Sequence, residues 1–120
     1  MRNFKSLKIW NEGMQFVEEI YSLTRQFPKE EQFGLKLQLT CAAISIPSNI
    51  AEGCGRQSNT EFLRFLEIAY SSGYELETQL EIAARLKLAE EEKINALIHQ
   101  VKHLQVMIHN YRIHLKKKYP

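Results

Sequence analysis

The stretch Gly53-Cys54-Gly55-Arg56 is the nearest thing in this chain to a phosphate-cradling loop. Such loops use glycine so that backbone N–H groups can close on an anion. No strand precedes it and no Gly-Lys-Ser or Gly-Lys-Thr follows, so glycine finishing a helix accounts for it better. His99 and His103 stand four apart on one helix, with His114 near the same outward line. A metal site there would want a carboxylate among them, and neither His-Glu-x-x-His nor Glu-x-x-His occurs. Exposed, partly titrating histidines are the better reading. Glu52, Glu75 and Glu77 would gather if the second and third helices face each other. With no His, Lys or metal beside them in a cleft, they read as a structural polar network rather than an acid–base pair. Cys41 and Cys54 read as reduced thiols acting as small hydrophobes. No nucleophile stands beside a base, so the expectation is a protein that is not an enzyme, with no cofactor and no metal.

The elements that hold these residues are helices. Residues 1–120 read as one domain, long enough to bury a core without disulfides. Strand-like alternation is absent and helical periodicity runs nearly throughout. A first helix is expected over Leu7 to Phe27, with Ser6 as N-cap and Pro28 as its stop. A second is expected from Glu31 to Gly55. Ser58 and Glu61 form a capping-box pattern opening a third, to about Leu86. A fourth is expected from Glu90, with acids at its positive end and Lys116, Lys117 and Lys118 at its negative end. Short connections predict an antiparallel, up-down-up-down all-α bundle. No secretory signal opens the chain and no apolar run approaches the ~18 residues needed to span a membrane, so a cytoplasmic location is expected.

The second helix is unusual. From Leu37 to Ala51 it holds no Asp, Glu, Lys or Arg, although 25% of the chain is charged. Leu35, Leu39, Ala43, Ile46 and Ile50 make a core seam, and Phe33, Leu37, Ile44 and Ala51 make another on the far side. Between them run Gln38, Ala42, Ser45, Asn49, Glu52 and Arg56; with Glu75 of helix three, the polar members predict a structural polar network. Helix one is likewise two-seamed. Leu7, Trp10, Met14, Val17 and Tyr21 lie beside Ile9, Phe16, Ile20, Leu23 and Phe27. A helix without charge all round is a buried helix, and one bundle cannot cover this much surface. Self-association is the expectation.

Pro47 lacks an N–H and its ring clashes with the Ala43 carbonyl, at a cost of ~3 kcal/mol inside a helix. A kink near Pro47 is expected, with Ser45, Ser48 or Asn49 bonding locally and Ser71, Ser72 and Gly73 letting a bent neighbour approach. The alternative is that the proline ends one helix and starts another.

FGLKLQLTCAAISIPSNIAEGCGR, followed by EFLRFLEIAYSSGYELETQLEIAARL, resembles the bacterial four-helix-bundle family of 23S rRNA intervening-sequence proteins, also called S23 ribosomal protein-like. The opening LKIWNEGMQFVEEIYSLTRQFPKEE is similar to that family's first helix. The resemblance implies a homopentamer, and a likeness to the accessory variability protein of diversity-generating retroelements, which binds nucleic acid and a reverse transcriptase. The chain departs from the family pattern at Cys41, where Arg is usual, at Ser71, where Gly is usual, and at Lys87-Leu88, where Gly-Tyr is usual.

Topology sorts an overall charge of only +2. The N-terminus, the loop between helices two and three, and the C-terminus should share one end of the bundle. Residues 1–12, 52–64 and 112–120 carry Arg2, Lys5, Lys8, Arg56, Arg64, Arg112, Lys116, Lys117 and Lys118 against Glu12, Glu52 and Glu61. That is nine cations against three carboxylates, or +6, leaving −4 for the remainder. Such a pole suits RNA or DNA backbones. The alternative for the terminal lysines is a solvated cap on the helix dipole. A protein-binding scaffold and an unrecognised enzyme are the other readings. No membrane partner is expected.

Overall fold

The computed structural model describes residues 2–120, and the chain enters its first helix differently from the expectation. Ser6 does not cap it. Its hydroxyl donates back to the Asn3 carbonyl at 2.7 Å, while the Asn3 side chain accepts the Lys5 N–H at 3.2 Å. A short polar side chain thus diverts the backbone into a 3-10 turn, Phe4–Ser6, and α1 begins after it as Lys8–Thr24. The Asn11 amide donates to the Lys5 and Leu7 carbonyls and braces the junction. At the other end α1 stops before Phe27, because Gln26 and Phe27 tighten onto Leu23 and Thr24 ahead of Pro28.

The second helix, α2, is Leu35–Cys54, preceded by a 3-10 turn at Lys29–Glu31. Its later start has a cause in the Glu31 carboxylate, which accepts the Leu35 N–H at 3.1 Å and so serves a free donor of the first turn. Gly34 makes room, since a Cβ there would lie 2.9 Å from that carboxylate oxygen. α2 runs through Pro47 as one helix, so the two-helix alternative is excluded. The Asn49 amide donates to the Ser45 carbonyl at 2.7 Å, and the Ser45 hydroxyl reaches the Ala42 carbonyl at 2.6 Å. Both side chains bond locally, though neither takes the Ala43 carbonyl that Pro47 leaves free.

Helix α3, Asn59–Arg85, opens on the expected Ser58 cap, whose hydroxyl accepts the Glu61 N–H at 3.1 Å. It closes in a left-handed turn. Lys87, at φ 56°, lets the Leu88 N–H reach the Ala83 carbonyl and the Lys87 N–H the Ala84 carbonyl. Helix α4 is Glu91–Lys118, with Glu91 and Glu92 in its first turn and the three lysines in its last.

α1 packs on α2 and α4, and α3 packs on α2 and α4, which is the neighbour pattern of an up-down-up-down square. Cross-helix pairs confirm antiparallel directions. Ser45 meets Ser72 at 2.7 Å and Gly53 meets Phe62 and Phe65, while Lys102 meets Glu77 and Arg112 meets Glu67. Phe16, Ile20, Leu39, Ile46, Phe62 and Leu80 are fully enclosed; each contributes about 1.5–3 kcal/mol by leaving water.

Small residues set the close approaches, and not all where expected. Gly13 of α1 faces the Pro47 ring, with its absent Cβ 3.5 Å from Pro47 Cδ. Gly73, expected to admit α2, instead admits the Gln105 side chain of α4. Gly53 lies against Phe62 and Phe65, where a Cβ would fall 2.9 and 2.8 Å from side-chain carbons. Gly55 ends α2 at φ −80°, so it is not a left-handed finish. The glycine that the first half of Gly-Cys-Gly-Arg demands is a packing glycine.

Candidate nucleic-acid interface

The Arg2 side chain gathers one end of the bundle. One guanidinium nitrogen donates to the Arg56 carbonyl at 3.0 Å, the other bonds the Asn59 side chain, and the group lies 4.4 Å over the Phe62 ring. Arg56 repeats the arrangement, 4.7 Å over Phe65 while pairing with Glu52 at 3.4 Å. Arginine suits such stacking because its planar cation covers an aromatic face and keeps its edge donors outward. Arg2, Gly55, Arg56, Gln57 and Tyr119 line an open groove, so N-terminus, α2–α3 turn and C-terminus meet. Tyr119, Asn59, Phe62 and Phe65 were not singled out in the sequence. The aromatics opening α3 were the available signal.

The nine cations divide into two groups. Arg56, Arg64 and Arg112 are paired with Glu52, Glu61 and Glu67. Arg112 is only 17% exposed and its Nε is buried, which makes it a strut between α4 and α3. Among the described residues, Arg2, Lys5, Lys8, Lys116, Lys117 and Lys118 have no carboxylate partner. Beneath this end, burial pushes the Cys54 thiol up, against a smaller opposite pull from Arg2. Burial likewise pushes the Tyr111 hydroxyl up, aided by Cys54. Cys54 is therefore a protonated packing residue at neutral pH. Cys41 differs from the expected small hydrophobe in being exposed.

The polar line on α2 does not form one network. Ser45 bonds Ser72, Asn49 bonds its own helix, Glu52 holds Arg56, and Glu75 accepts from Gln79 at 3.4 Å. Gln38 is exposed and joins none of these. Glu77 turns to Lys102 of α4, so Glu52, Glu75 and Glu77 make no cluster. His99, His103 and His114 are exposed, and no three His, Cys, Asp or Glu among the described residues sit where they could hold a metal ion. No helix is long and apolar enough to cross a membrane among those residues.

The outward face of α2 is uncharged from Leu37 to Ala51, while that of α1 sets Met14 and Tyr21 beside the exposed Glu18 and Arg25. Ile9, Phe16, Ile20, Leu23 and Phe27 are buried in the bundle, whereas Met14 and Tyr21 of the other α1 seam are 42% and 41% exposed. On α2, Leu37 and Ile44 are 46% and 40% exposed, and Phe33, in the turn before it, is 83% exposed. Trp10, Met14, Val17, Ile44, Pro47, Ser48 and Ala51 line one groove between the helices.

These features define an all-α, antiparallel four-helix bundle with one basic end and an uncharged outward face on α2. Residues 5–110 match the family model described as 23S rRNA-intervening sequence protein, and the chain belongs to that family. A crystal structure of a protein with unknown function from the S23 ribosomal protein family of Bacteroides thetaiotaomicron has the same fold. It superposes with a TM-score of 0.80 at 21% identity, over 87% of this chain and 97% of that one. No protein of curated function matches.

Proposed function

We propose that this protein is a non-enzymatic, self-associating bundle that binds nucleic acid electrostatically through its basic end. The observation that carries the reading is the set of six cations without carboxylate partners, Arg2 in the groove beside Arg56 and five lysines near the chain's two termini. The exposed apolar residues Met14 and Tyr21 of α1 and Leu37 and Ile44 of α2 support self-association, because apolar surface grouped on one side of a bundle marks an interface. The family resemblance supports five copies. A ring of parallel subunits would repeat the basic end around one face and deepen its field. α2 bends at Pro47 in this reading, since a ring against the Ala43 carbonyl does not fit a straight ladder.

The test exchanges Lys116, Lys117 and Lys118 for Gln in one variant, and Lys5 and Lys8 in another. Each set should weaken RNA or DNA binding and flatten its salt dependence without dissolving the oligomer. Unaltered affinity in both sets, or no binding by the wild type at low salt, refutes the reading in favour of a protein-binding scaffold.

A further inference from the structure

Packing explains Gly53 and Gly73, and the Glu31 carboxylate explains Gly34, but Gly55 has no such reason. Its φ of −80° is open to any residue. An added Cβ would meet only the Glu52 carbonyl oxygen, at 3.4 Å, the edge of ordinary van der Waals contact. A side chain at this position would fill space outside the fold. That space is the open groove of about 500 Å³ that Gly55 lines with Arg2, Arg56, Gln57 and Tyr119. Sites for small molecules run from about 300 to 1,000 Å³.

The lining matches a nucleotide. No carboxylate belongs to it, and the acids nearest in sequence, Glu52 and Glu61, are paired with Arg56 and Arg64. Arg2 is fixed before a ligand arrives. The Arg56 carbonyl and the Asn59 side chain take two of its N–H donors, and the Phe62 ring supports its plane at 4.4 Å. A guanidinium has about five donors, so about three are left for phosphate oxygens. Arg56, 4.7 Å over Phe65, presents a second supported plane of the kind on which bases stack. Tyr119 supplies a ring. Its N–H bonds the Leu115 carbonyl at 2.9 Å, which holds it against the end of α4, and it is 46% exposed. Lys118 Nζ lies 5.5 Å from the centroid of that ring, so ring and ammonium together suit a base and its phosphate.

We infer that this groove seats one unstacked nucleotide, its base against Tyr119 and its phosphate against Arg2 and Lys118, so that the basic end selects single-stranded nucleic acid over duplex. The inference rests on the nucleic-acid reading above and adds a preference that charge alone does not give. A bare basic surface favours the duplex, whose phosphates are denser: each contact steepens the salt dependence by about 0.9, against about 0.7 on a single strand. A duplex also keeps its base faces inside the stack, where a tyrosine ring cannot meet them.

The test is fluorescence anisotropy with a short labelled single-stranded RNA, and with the same strand annealed to its complement, over a salt series. The wild type should bind the single strand at least about 5-fold more tightly, the lower end of what one stacked base contributes. Tyr119→Ala should lose most of that preference and leave duplex affinity and both salt slopes unchanged, because stacking releases no counterions. Gly55→Leu, which adds bulk to the groove and removes no charge, should do the same with helicity and oligomer mass unchanged. Should Gly55→Leu fail to fold, Tyr119→Ala decides alone, since its side chain lies beyond the last helix. Duplex binding as tight as single-strand binding in the wild type overturns the inference and leaves the electrostatic end intact. A preference that survives in the folded variants, or an equal loss for both ligands, also overturns it. No binding of either ligand at low salt removes both readings.

Discussion

Substituting Gly73 by Ala puts two opposed effects on one methyl group, and the structure says which wins. Alanine is the better helix former by about 0.8–1.0 kcal/mol in a helix interior. Against this, the new Cβ would lie 2.5 Å from both Cγ and Nε2 of Gln105, and closer still to Cδ. Gln105 is 6% exposed, and its Nε2 donates to the Tyr70 carbonyl at 2.9 Å. It can move away only by giving up that bond, worth about 0.5–1.5 kcal/mol, and overpacking adds about 1–3 kcal/mol. The net expectation is a loss of about 0.5–3.5 kcal/mol. In a Gln105→Ala background the obstacle is gone, and the same Gly73→Ala change should stabilise by about 0.8 kcal/mol. Urea unfolding of the four proteins of this cycle, at one fixed protein concentration because any self-association would add to stability, gives the coupling directly. A neutral or stabilising Gly73→Ala in the wild type would refute the close α3–α4 approach.

Lys87→Gly should raise stability by about 0.5–1 kcal/mol, since a left-handed backbone costs a side-chain-bearing residue about 1–2 kcal/mol and glycine returns part of that as unfolded-state entropy. Lys87→Ala should be neutral, and thermal melts compare the two. Gly53→Ala should cost more than Gly73→Ala, because Phe65 Cβ, 2.8 Å from the new methyl, is tied to its backbone and cannot swing aside. In thiol titration Cys54 should react only on unfolding, whereas Cys41, which shares a face with Leu37 and Ile44, should react at once only where that face is uncovered. The raised pKa of the Cys54 thiol and the Tyr111 hydroxyl implies stability that is fully present below their ordinary values and lost as the pH rises through the folded ones. Denaturation midpoints should therefore drop above about pH 9, and less so in Cys54→Ala.

Periodicity and punctuation were enough to read four helices, their order and the Ser58 cap, because these follow from local spacing. The ends of α1 and α2 were not legible. Ser6 lost its capping role to a turn made by Asn3, and Glu31 capped α2 from outside the helix. Neither choice shows in a one-dimensional pattern. The same holds for the glycines, where composition announced small residues on α3 and α2 but not which neighbour each admits. Of the basic end, topology alone brought Arg2, Arg56 and the C-terminus together. What it could not separate was cation from strut: Arg112 and Arg64 count as positive in the sequence, yet each is spent on a glutamate of α3. The uncharged face of α2 was legible because missing charge is a property of residue types, whereas of the second α1 seam only Met14 and Tyr21 stay exposed and Leu7, Trp10 and Val17 pack partly on the core.

That side of the bundle carries the central claim, that another copy of the chain covers α1 and α2. Light scattering at micromolar concentration measures it directly. The wild type should return several times the 14.1 kDa chain mass, with five copies expected, and Met14→Asp with Ile44→Asp should return a folded species near one chain mass. A stable dimer would change the copy number alone. A wild type at 14.1 kDa would contradict the account.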